Sequence, residues 1–265
     1  MKLAFIGQNN LQGVESDARF AAANGFVGLE FNFWSDFKDL TEERVVAMRA
    51  ALDRNSVGAA ALGLWGWNHL APDPTVREEA HTMLDRAIHF AHLLGAEVLI
   101  AGGGDIPGAP LEEKVAEFLR VFPPFLDRAA QAGLKVAMYA LHGQSFFNSV
   151  EAYERVREHF PQVGIKFDPA NWANHGHDYL GILRHHGHLI AYVHIKEHLY
   201  HNGELASQPA AGMGDIAWGK VLAFLYEQGY DGYLSFEPHG PKWARAPLRD
   251  KMLLLSKRYI SQFLL

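Results

Sequence analysis

The sequence contains no cysteine among its 265 residues. This absence excludes disulfides, thiolate metal ligands and cysteine nucleophiles. Positive charge is also in short supply, because 24 Lys and Arg residues face 30 Asp and Glu residues, for a formal net charge of −6. Such a chain has no basic field to attract phosphates, so we expect neither nucleic acid nor an anionic membrane surface as a partner. The composition favours a small, neutral substrate.

Long apolar runs are missing as well. No stretch approaches the roughly 18–20 apolar residues that a membrane-spanning helix requires. The N-terminal segment Met1–Ile6 leads directly into a predicted strand, without the apolar region and cleavage site of a secretory signal. We therefore expect a cytoplasmic protein with no membrane partner. The sequence is compatible with a homo-oligomer.

What the chain does contain is a regular alternation of short β-rich runs with longer segments of helical period, which is typical of βα units. The predicted strands are Leu3–Ile6, Val27–Phe31, Val57–Ala61, Val98–Ala101, Lys135–Tyr139, Gly164–Phe167, Ala191–His194 and Tyr233–Phe236. Eight consecutive units favour an α/β fold with one (β/α)8 TIM barrel spanning residues 1–265. The alternative is an open, doubly wound sheet. The first turn, Gly7–Gly13, does not match the G-x-G-x-x-G pattern of dinucleotide-binding sheets.

Three polar residues follow three late predicted strands: Asp168, His194 and Glu237. Catalytic residues of a barrel come from such strand ends, and period-two alternation points these three side chains into the barrel mouth. Two carboxylates and an imidazole in one cavity are costly unless a cation neutralises them. The sequence therefore predicts a divalent metal ion, Mn, Mg, Co or Zn, as cofactor.

Four sequence blocks resemble the xylose-isomerase-like family of sugar phosphate isomerases and epimerases. The blocks are Val163–Asn171, Tyr192–Glu197, Gly212–Trp218 and Gly229–Glu237, with a further match at Gly25–Glu30. Together they extend over nearly the whole chain. The resemblance implies a metal-dependent barrel in which Asp168, His194 and Glu237 are the ligands.

One position departs from the family pattern. Relatives carry a glutamate at the end of strand five, where it is both a metal ligand and one half of an acid/base pair. Here that position is Ala140, two residues before His142. Three explanations remain open: His142 or water replaces the glutamate, the metal is lost with a change of role, or Ala140 is an engineered replacement. We expect residue 140 to share an inward orientation with Met138.

Further site residues are predicted from their places after the strands. The predicted catalytic residues are Glu237, as the proton-transferring base or a bridging ligand, His142 and Lys196. The predicted substrate-binding residues are Glu30, Trp65, His69, Asn171 and His175. Sugar C–H faces stack on aromatic rings, so the tryptophan after strand three predicts a carbohydrate-binding wall.

Three functions fit these residues. The first is a metal-dependent isomerase or epimerase that moves a proton next to the carbonyl of a small keto-sugar or cyclitol. The second is a lyase or dehydratase acting on an oxidised sugar or glycoside, which an aromatic mouth would suit. The third is a non-catalytic sugar-binding barrel, which the substitution at Ala140 makes credible.

Overall fold

The computed structural model describes all residues 1–265, and its central feature is a closed barrel of eight parallel strands with the order β1-β10-β7-β6-β5-β4-β3-β2. The barrel strands are β1 Lys2–Ile6, β2 Gly28–Phe33, β3 Gly58–Leu64, β4 Ala96–Ala101, β5 Lys135–Tyr139, β6 Val163–Phe167, β7 Ile190–Ile195 and β10 Tyr233–Phe236. A hairpin of β8 Leu199–His201 and β9 Glu204–Ser207 follows β7. This arrangement confirms the single (β/α)8 barrel and excludes the open sheet.

Ten α-helices connect or follow the strands. They are α1 Leu11–Asn24, α2 Glu42–Arg54, α3 Pro74–Leu94, α4 Leu111–Val121, α5 Pro123–Gln131, α6 Val150–Arg157, α7 Pro169–Asn174, α8 Tyr179–His186, α9 Trp218–Glu227 and α10 Leu248–Ser261. Two short 3₁₀ helices, Ser35–Asp39 and Gly187–Leu189, complete the regular structure. None of the helices combines the length and the apolar character that crossing a bilayer requires.

Strand alternation divides the apolar side chains into two layers. Small and aromatic residues such as Ala4, Ala137 and Tyr139 fill the inside of the barrel. Branched and aromatic residues such as Ile165 and Phe167 form a much larger cluster with the surrounding helices. Because the two layers take alternate residues of each strand, the polar residue at the end of a strand has its direction fixed by the buried residues before it.

Local sequence signals set the ends of the helices that support the rim. The Asn10 side chain accepts a hydrogen bond from Gly13 N at the start of α1, and α1 ends at Gly25 with φ 67°. Asp73 caps α3 in the same way, and α3 ends at Gly95 with φ 73°. These positive φ values favour glycine, which explains why a glycine stands between each of these two helices and the strand that follows it.

A buried carboxylate organises the segment between β9 and α9. Glu197 accepts hydrogen bonds from the backbone N–H groups of His198, Gly212 and Ile216 at 3.0 Å each, and from Trp218 Nε1 at 2.9 Å. Each of the two carboxylate oxygens accepts two of these four hydrogen bonds. The blocks around residues 197 and 212–218 therefore meet in one structural network, which ties the loop above the barrel to β7.

Replacing Glu197 with Gln should destabilise the fold. One carboxylate oxygen becomes an amide NH₂ that faces two N–H donors, and we expect a loss of about 2–3 kcal/mol in the free energy of unfolding. Urea denaturation of Glu197→Gln measures this loss. Glu204→Gln, on the exposed hairpin, is the matched control and should leave the midpoint unchanged; a similar midpoint for both variants would contradict the proposed network.

Candidate active site

A cavity of about 230 Å³ opens at the carboxyl ends of the barrel strands. Its lining residues are Asn32, Trp34, Trp65, His142, Lys166, Asn171, His194, Lys196, Glu237 and His239. Six of the predicted site residues therefore line one cavity: Trp65, His142, Asn171, His194, Lys196 and Glu237. The fold brings them together because β2, β3, β6, β7 and β10, together with the loop after β5, all end at the same rim.

The shortest ion pair at the site joins the residues that follow the neighbouring strands β6 and β7. Lys196 Nζ lies 2.7 Å from Asp168 Oδ2 and 3.5 Å from Glu237 Oε2, and Lys166 Nζ lies 3.5 Å from Asp168 Oδ2. Burial opposes ionisation of Asp168, but the two ammonium groups overcome it and lower the pKa of Asp168 to about 2. Asp168 is therefore ionised at neutral pH.

His194 stands between two carboxylates. Its Nδ1 lies 2.8 Å from Glu237 Oε2, and its Nε2 lies 2.9 Å from Glu30 Oε1. Burial opposes protonation of the imidazole, yet the charge of Glu30 and the hydrogen bonds to Glu237 and Glu30 together outweigh this effect and raise the pKa of His194. Burial likewise opposes ionisation of Glu237, but Lys196 and the hydrogen bond from His194 hold its pKa well below the ordinary value.

Glu30 contacts His194 rather than the cavity. Its side chain is 0% exposed, and it accepts further hydrogen bonds from Asn32 Nδ2, Tyr192 OH and Ser235 Oγ. Glu30 does not line the cavity, so its predicted contact with substrate has no support in this structure. Its role is to fix the orientation of the His194 ring, and the sequence pattern could not distinguish the two roles.

The three predicted ligands have the geometry of a metal site. One donor atom from each of Asp168, His194 and Glu237 can be chosen so that all three lie within 4.8 Å of one another. This separation matches ligands around a single ion at about 2.0–2.6 Å. Glu30 holds His194 Nε2 and leaves Nδ1 facing Glu237, which is how a carboxylate orients a metal-binding histidine. Asp168 Oδ2 is buried and, apart from its ion pairs, accepts no hydrogen bond. The residues therefore fit a divalent cation.

The two carboxylates and the imidazole predicted from the sequence are not the only charges near this site, because the ammonium of Lys166 is buried beside Asp168. Two lysines already compensate much of the acidic charge, so the case for a metal rests on donor geometry. Burial lowers the pKa of Lys166, while Asp168 partly opposes this shift. Lys166 could have been found, since it precedes Asp168 by two residues and so shares its face of β6.

Two other cavity residues escaped prediction for the same reason. Asn32 follows Glu30 by two residues, and His239 follows Glu237 by two residues. Asn32 Oδ1 accepts a hydrogen bond from Trp65 Nε1 at 2.7 Å, and His239 Nδ1 lies 3.0 Å from Glu237 Oε1. Continuing the period of two past the strand end would have identified both.

A hydrogen-bond chain fixes the protonation of His142. Lys196 Nζ donates to Asn171 Oδ1 at 2.7 Å, so the amide nitrogen of Asn171 faces His142 Nε2 at 2.9 Å. This nitrogen must accept, which leaves the proton of a neutral imidazole on Nδ1. Burial, with help from Lys166 and Lys196, lowers the pKa of His142 to about 4. His142 is therefore neutral at physiological pH and can accept a proton.

Two predicted substrate contacts lie elsewhere. His69 is 0% exposed and packs edge-on against Phe122 with ring centroids 5.7 Å apart, within the layer between the barrel and its helices. His175 is exposed at the end of α7, where its Nδ1 contacts Asn171 O at 2.8 Å. Neither lines the cavity. Both predictions relied on distance along the chain from a strand end, which does not determine where a loop side chain points.

The expected inward orientation at residue 140 is also wrong. Met138 lines an apolar space with Leu84 of α3 and Leu126 of α5, so it points away from the barrel axis. Ala140 is 5% exposed and belongs to the same outer cluster, whereas Tyr139 belongs to the inner one. The side chain that faces inward at the end of β5 is therefore Tyr139, which stacks on Trp65 with ring centroids 4.4 Å apart.

Comparison with known proteins agrees with the sequence resemblance. A family model described as a xylose isomerase-like TIM barrel matches residues 18–258. The chain belongs to this family. No curated protein sequence matches the chain closely enough to serve as a relative.

Several solved structures share the family fold. D-psicose 3-epimerase from Clostridium cellulolyticum H10, solved with D-tagatose, has a TM-score of 0.80 at 16% identity and covers 100% of this chain and 99% of its own. A xylose isomerase domain protein from Planctomyces limnophilus has a TM-score of 0.77 at 22% identity, with coverages of 99% and 96%. The IOLI protein with a bound zinc atom has a TM-score of 0.78 at 19% identity, covering 99% of each chain. At these identities the likeness shows the fold.

Placing a glutamate at residue 140 should not supply a metal ligand. Because the side chain of Ala140 lies in the outer apolar layer, Ala140→Glu should lower the free energy of unfolding by about 1–3 kcal/mol and leave Mn²⁺ affinity unchanged. Urea denaturation and a Mn²⁺ titration measure the two effects. Tighter Mn²⁺ binding by a folded variant would show instead that residue 140 is the missing ligand position.

His69 should matter for acid stability and not for activity. Burial lowers the pKa of His69 to about 3, against an ordinary value of 6.5. Between these two pH values His69 is protonated in the unfolded chain and neutral in the folded protein. The free energy of unfolding should therefore fall as the pH drops from about 6.5 towards 3. His69→Leu should reduce this loss in denaturation series at pH 7 and pH 4.5. An unchanged pH dependence would contradict the assignment.

Proposed function

We propose that this protein is a metal-dependent sugar isomerase or epimerase, which moves a proton on a carbon next to the carbonyl of a small keto-sugar or cyclitol. The observation that carries the proposal is the convergence of Asp168, His194 and Glu237 within 4.8 Å, in a cavity that also contains a neutral histidine and a buried ammonium. The solved epimerase that shares this fold supports the same reaction class.

In the proposal, the cation would be Mn, Mg, Co or Zn, and Asp168, His194 and Glu237 would hold it. When bound, such a cation supplies Lewis-acid polarisation of a carbonyl oxygen. Lys196 carries three N–H donors and points into the same space, so it stabilises negative charge that develops on the substrate oxygen. The pKa of Lys196 is raised, since Asp168 and Glu237 outweigh the opposing effect of burial, and the group stays cationic.

Two groups can exchange the proton on different sides of the substrate. Glu237 lines the cavity with its Oε1 3.0 Å from His239 Nδ1, and in the proposal its carboxylate takes the proton from the α-carbon. His142 follows β5, which β6 and β7 separate from β10 in the barrel. A substrate hydroxyl that displaces Asn171 from His142 Nε2 frees this nitrogen to accept or return a proton. His142 thus takes the role that the family assigns to a strand-five glutamate.

The polar lining favours a neutral sugar over a sugar phosphate. Its two lysines are both paired with carboxylates, and no arginine lines the cavity. Asn171, Lys196 and His239 offer hydroxyl-binding groups, while Trp34 and Trp65 offer apolar faces. We propose that the protein acts as a soluble cytoplasmic enzyme on a carbohydrate of this kind.

Glu237→Gln should nearly abolish proton transfer. Removal of a general base typically costs about 10²–10⁴-fold in rate, and the variant also loses an anionic ligand. The measurement is the entry of solvent deuterium at the α-carbon of D-fructose and related ketoses, with Mn²⁺ present, read by NMR. His142→Ala should reduce exchange as well, since it removes the second acid/base group.

His175→Ala is the control, because the exposed His175 lies outside the cavity. Its exchange rate should equal that of the unmodified protein. Absence of exchange in the Mn²⁺-loaded protein with every ketose tested, or full exchange in Glu237→Gln, would refute the proposal and favour the non-catalytic sugar-binding alternative.

A further inference from the structure

A second cleft adjoins the cavity on the side of β2 and β3. It has a volume of about 330 Å³ and is lined by Trp34, Ser35, Lys38, Trp65, Gly66 and Trp67, residues that we call the tryptophan cleft. Trp34 and Trp65 line both spaces, so the cleft borders the cavity at these two rings. The cavity alone falls below the range of about 300–1,000 Å³ that ligand sites commonly occupy, whereas the two spaces together fall within it.

The rings in the cleft form an ordered stack. Trp34 stacks on Trp65 with ring centroids 5.7 Å apart and planes inclined by 24°, and Trp65 stacks on Tyr139 at 4.4 Å and 11°. Trp34 nevertheless remains 53% exposed. The exposed indole of Trp34, held on a rigid aromatic stack, presents a flat apolar face on which the C–H face of a sugar ring can pack.

Backbone geometry makes room for this stack. A side chain at Gly66, which has φ 81°, would approach the Trp34 ring to 3.2 Å, and one at Gly63 would collide with Asn32 and with Trp65 Nε1. The hydrogen bond from Trp65 Nε1 to Asn32 Oδ1 continues through Asn32 Nδ2 to Glu30, the carboxylate that orients His194. The cleft is therefore rigidly connected to the proposed catalytic residues.

The polar groups of the cleft suit hydroxyls. Lys38 Nζ lies 5.3 Å from the Trp67 ring centroid and 2.5 Å from Glu79 Oε1, while remaining about half exposed. Its charge is thus partly satisfied, and it is the only cation that lines the cleft. One paired lysine beside indole faces fits a neutral ring with hydroxyl groups better than a phosphate or a purely apolar group.

We propose that the tryptophan cleft is a second sugar subsite, and that the substrate is a keto-sugar carrying a further glycosidically linked ring. This inference rests on the proposed function, since it names the substrate class of the same site. The reacting sugar lies in the cavity against Lys196 and Glu237, and the linked ring lies against Trp34 and beside Lys38. No new chemical step is involved.

Calorimetric titrations of the Mn²⁺-loaded protein test the subsite. The probes are D-fructose and three ketose disaccharides that carry the second ring at different positions: turanose, lactulose and isomaltulose. At least one disaccharide should bind about tenfold tighter than D-fructose, because stacking of one further ring contributes roughly this factor. If no disaccharide binds more tightly than D-fructose, the subsite is refuted.

Substitutions distinguish ligand binding in the cleft from ligand binding in the cavity. Lys38 lines only the cleft, so Lys38→Ala should weaken disaccharide binding and leave D-fructose binding unchanged. Trp34→Ala should remove most of the preference for a disaccharide over D-fructose, and Trp34→Phe should keep part of this preference. Trp243, whose Nε1 bonds to Ser207 Oγ of the hairpin, lies outside the cleft, so Trp243→Ala is the control. Equal weakening of both ligand types by Lys38→Ala would overturn the assignment.

The deuterium-exchange assay keeps the two proposals apart. Exchange with D-fructose but no disaccharide preference would refute the subsite and leave the isomerase proposal intact. A disaccharide preference that depends on Lys38 and Trp34, without exchange at any α-carbon, would refute the isomerase proposal and leave a sugar-binding subsite.

Discussion

The ion pair between Lys196 and Asp168 connects more of this site than any other contact. Its atoms lie 2.7 Å apart where both side chains are almost wholly buried, so neither charge has water to stabilise it. Removing one partner from such a pair leaves an uncompensated buried charge, which typically costs about 3–5 kcal/mol. The same two residues hold their neighbours: Asp168 Oδ1 accepts from Asn171 N at the start of α7, and Lys196 donates to the side chain of Asn171. Asn171 in turn fixes His142.

A second buried carboxylate, Glu30, orients neighbouring side chains on the other side of the cavity. Glu30 accepts four side-chain hydrogen bonds, and the one from His194 sets the direction of the imidazole. Since Asn32 links Glu30 to Trp65, the orientation of the histidine and the position of the aromatic wall are not independent. Three hydrogen bonds in series, Trp65 to Asn32, Asn32 to Glu30 and Glu30 to His194, therefore connect the aromatic wall to a proposed metal ligand.

The fold by itself does not determine the reaction, because barrels of one family support different chemistry through the residues at their strand ends. In this protein the departure lies at β5. Tyr139 faces inward and stacks on Trp65, while the loop beyond it places His142 over the cavity through positive φ values at Leu141 and Gln144. An aromatic residue and a neutral histidine thus occupy the sector in which the family pattern has a glutamate.

The sequence by itself determined the barrel and its polar rim. Eight apolar runs separated by helical stretches can close in few ways. Alternation fixed the direction of Asp168 and Glu237, which follow β6 and β10, and of His194, which lies near the end of β7, because the strand residues before each of them are buried. The same rule would have identified Lys166. Only the tertiary structure decided the positions of Glu30, His69 and His175. It also decided which residues of β5 point into the barrel, and that Trp34 stacks on Trp65. These depend on loop paths and on contacts between residues far apart in the chain, and local periodicity carries no information about either.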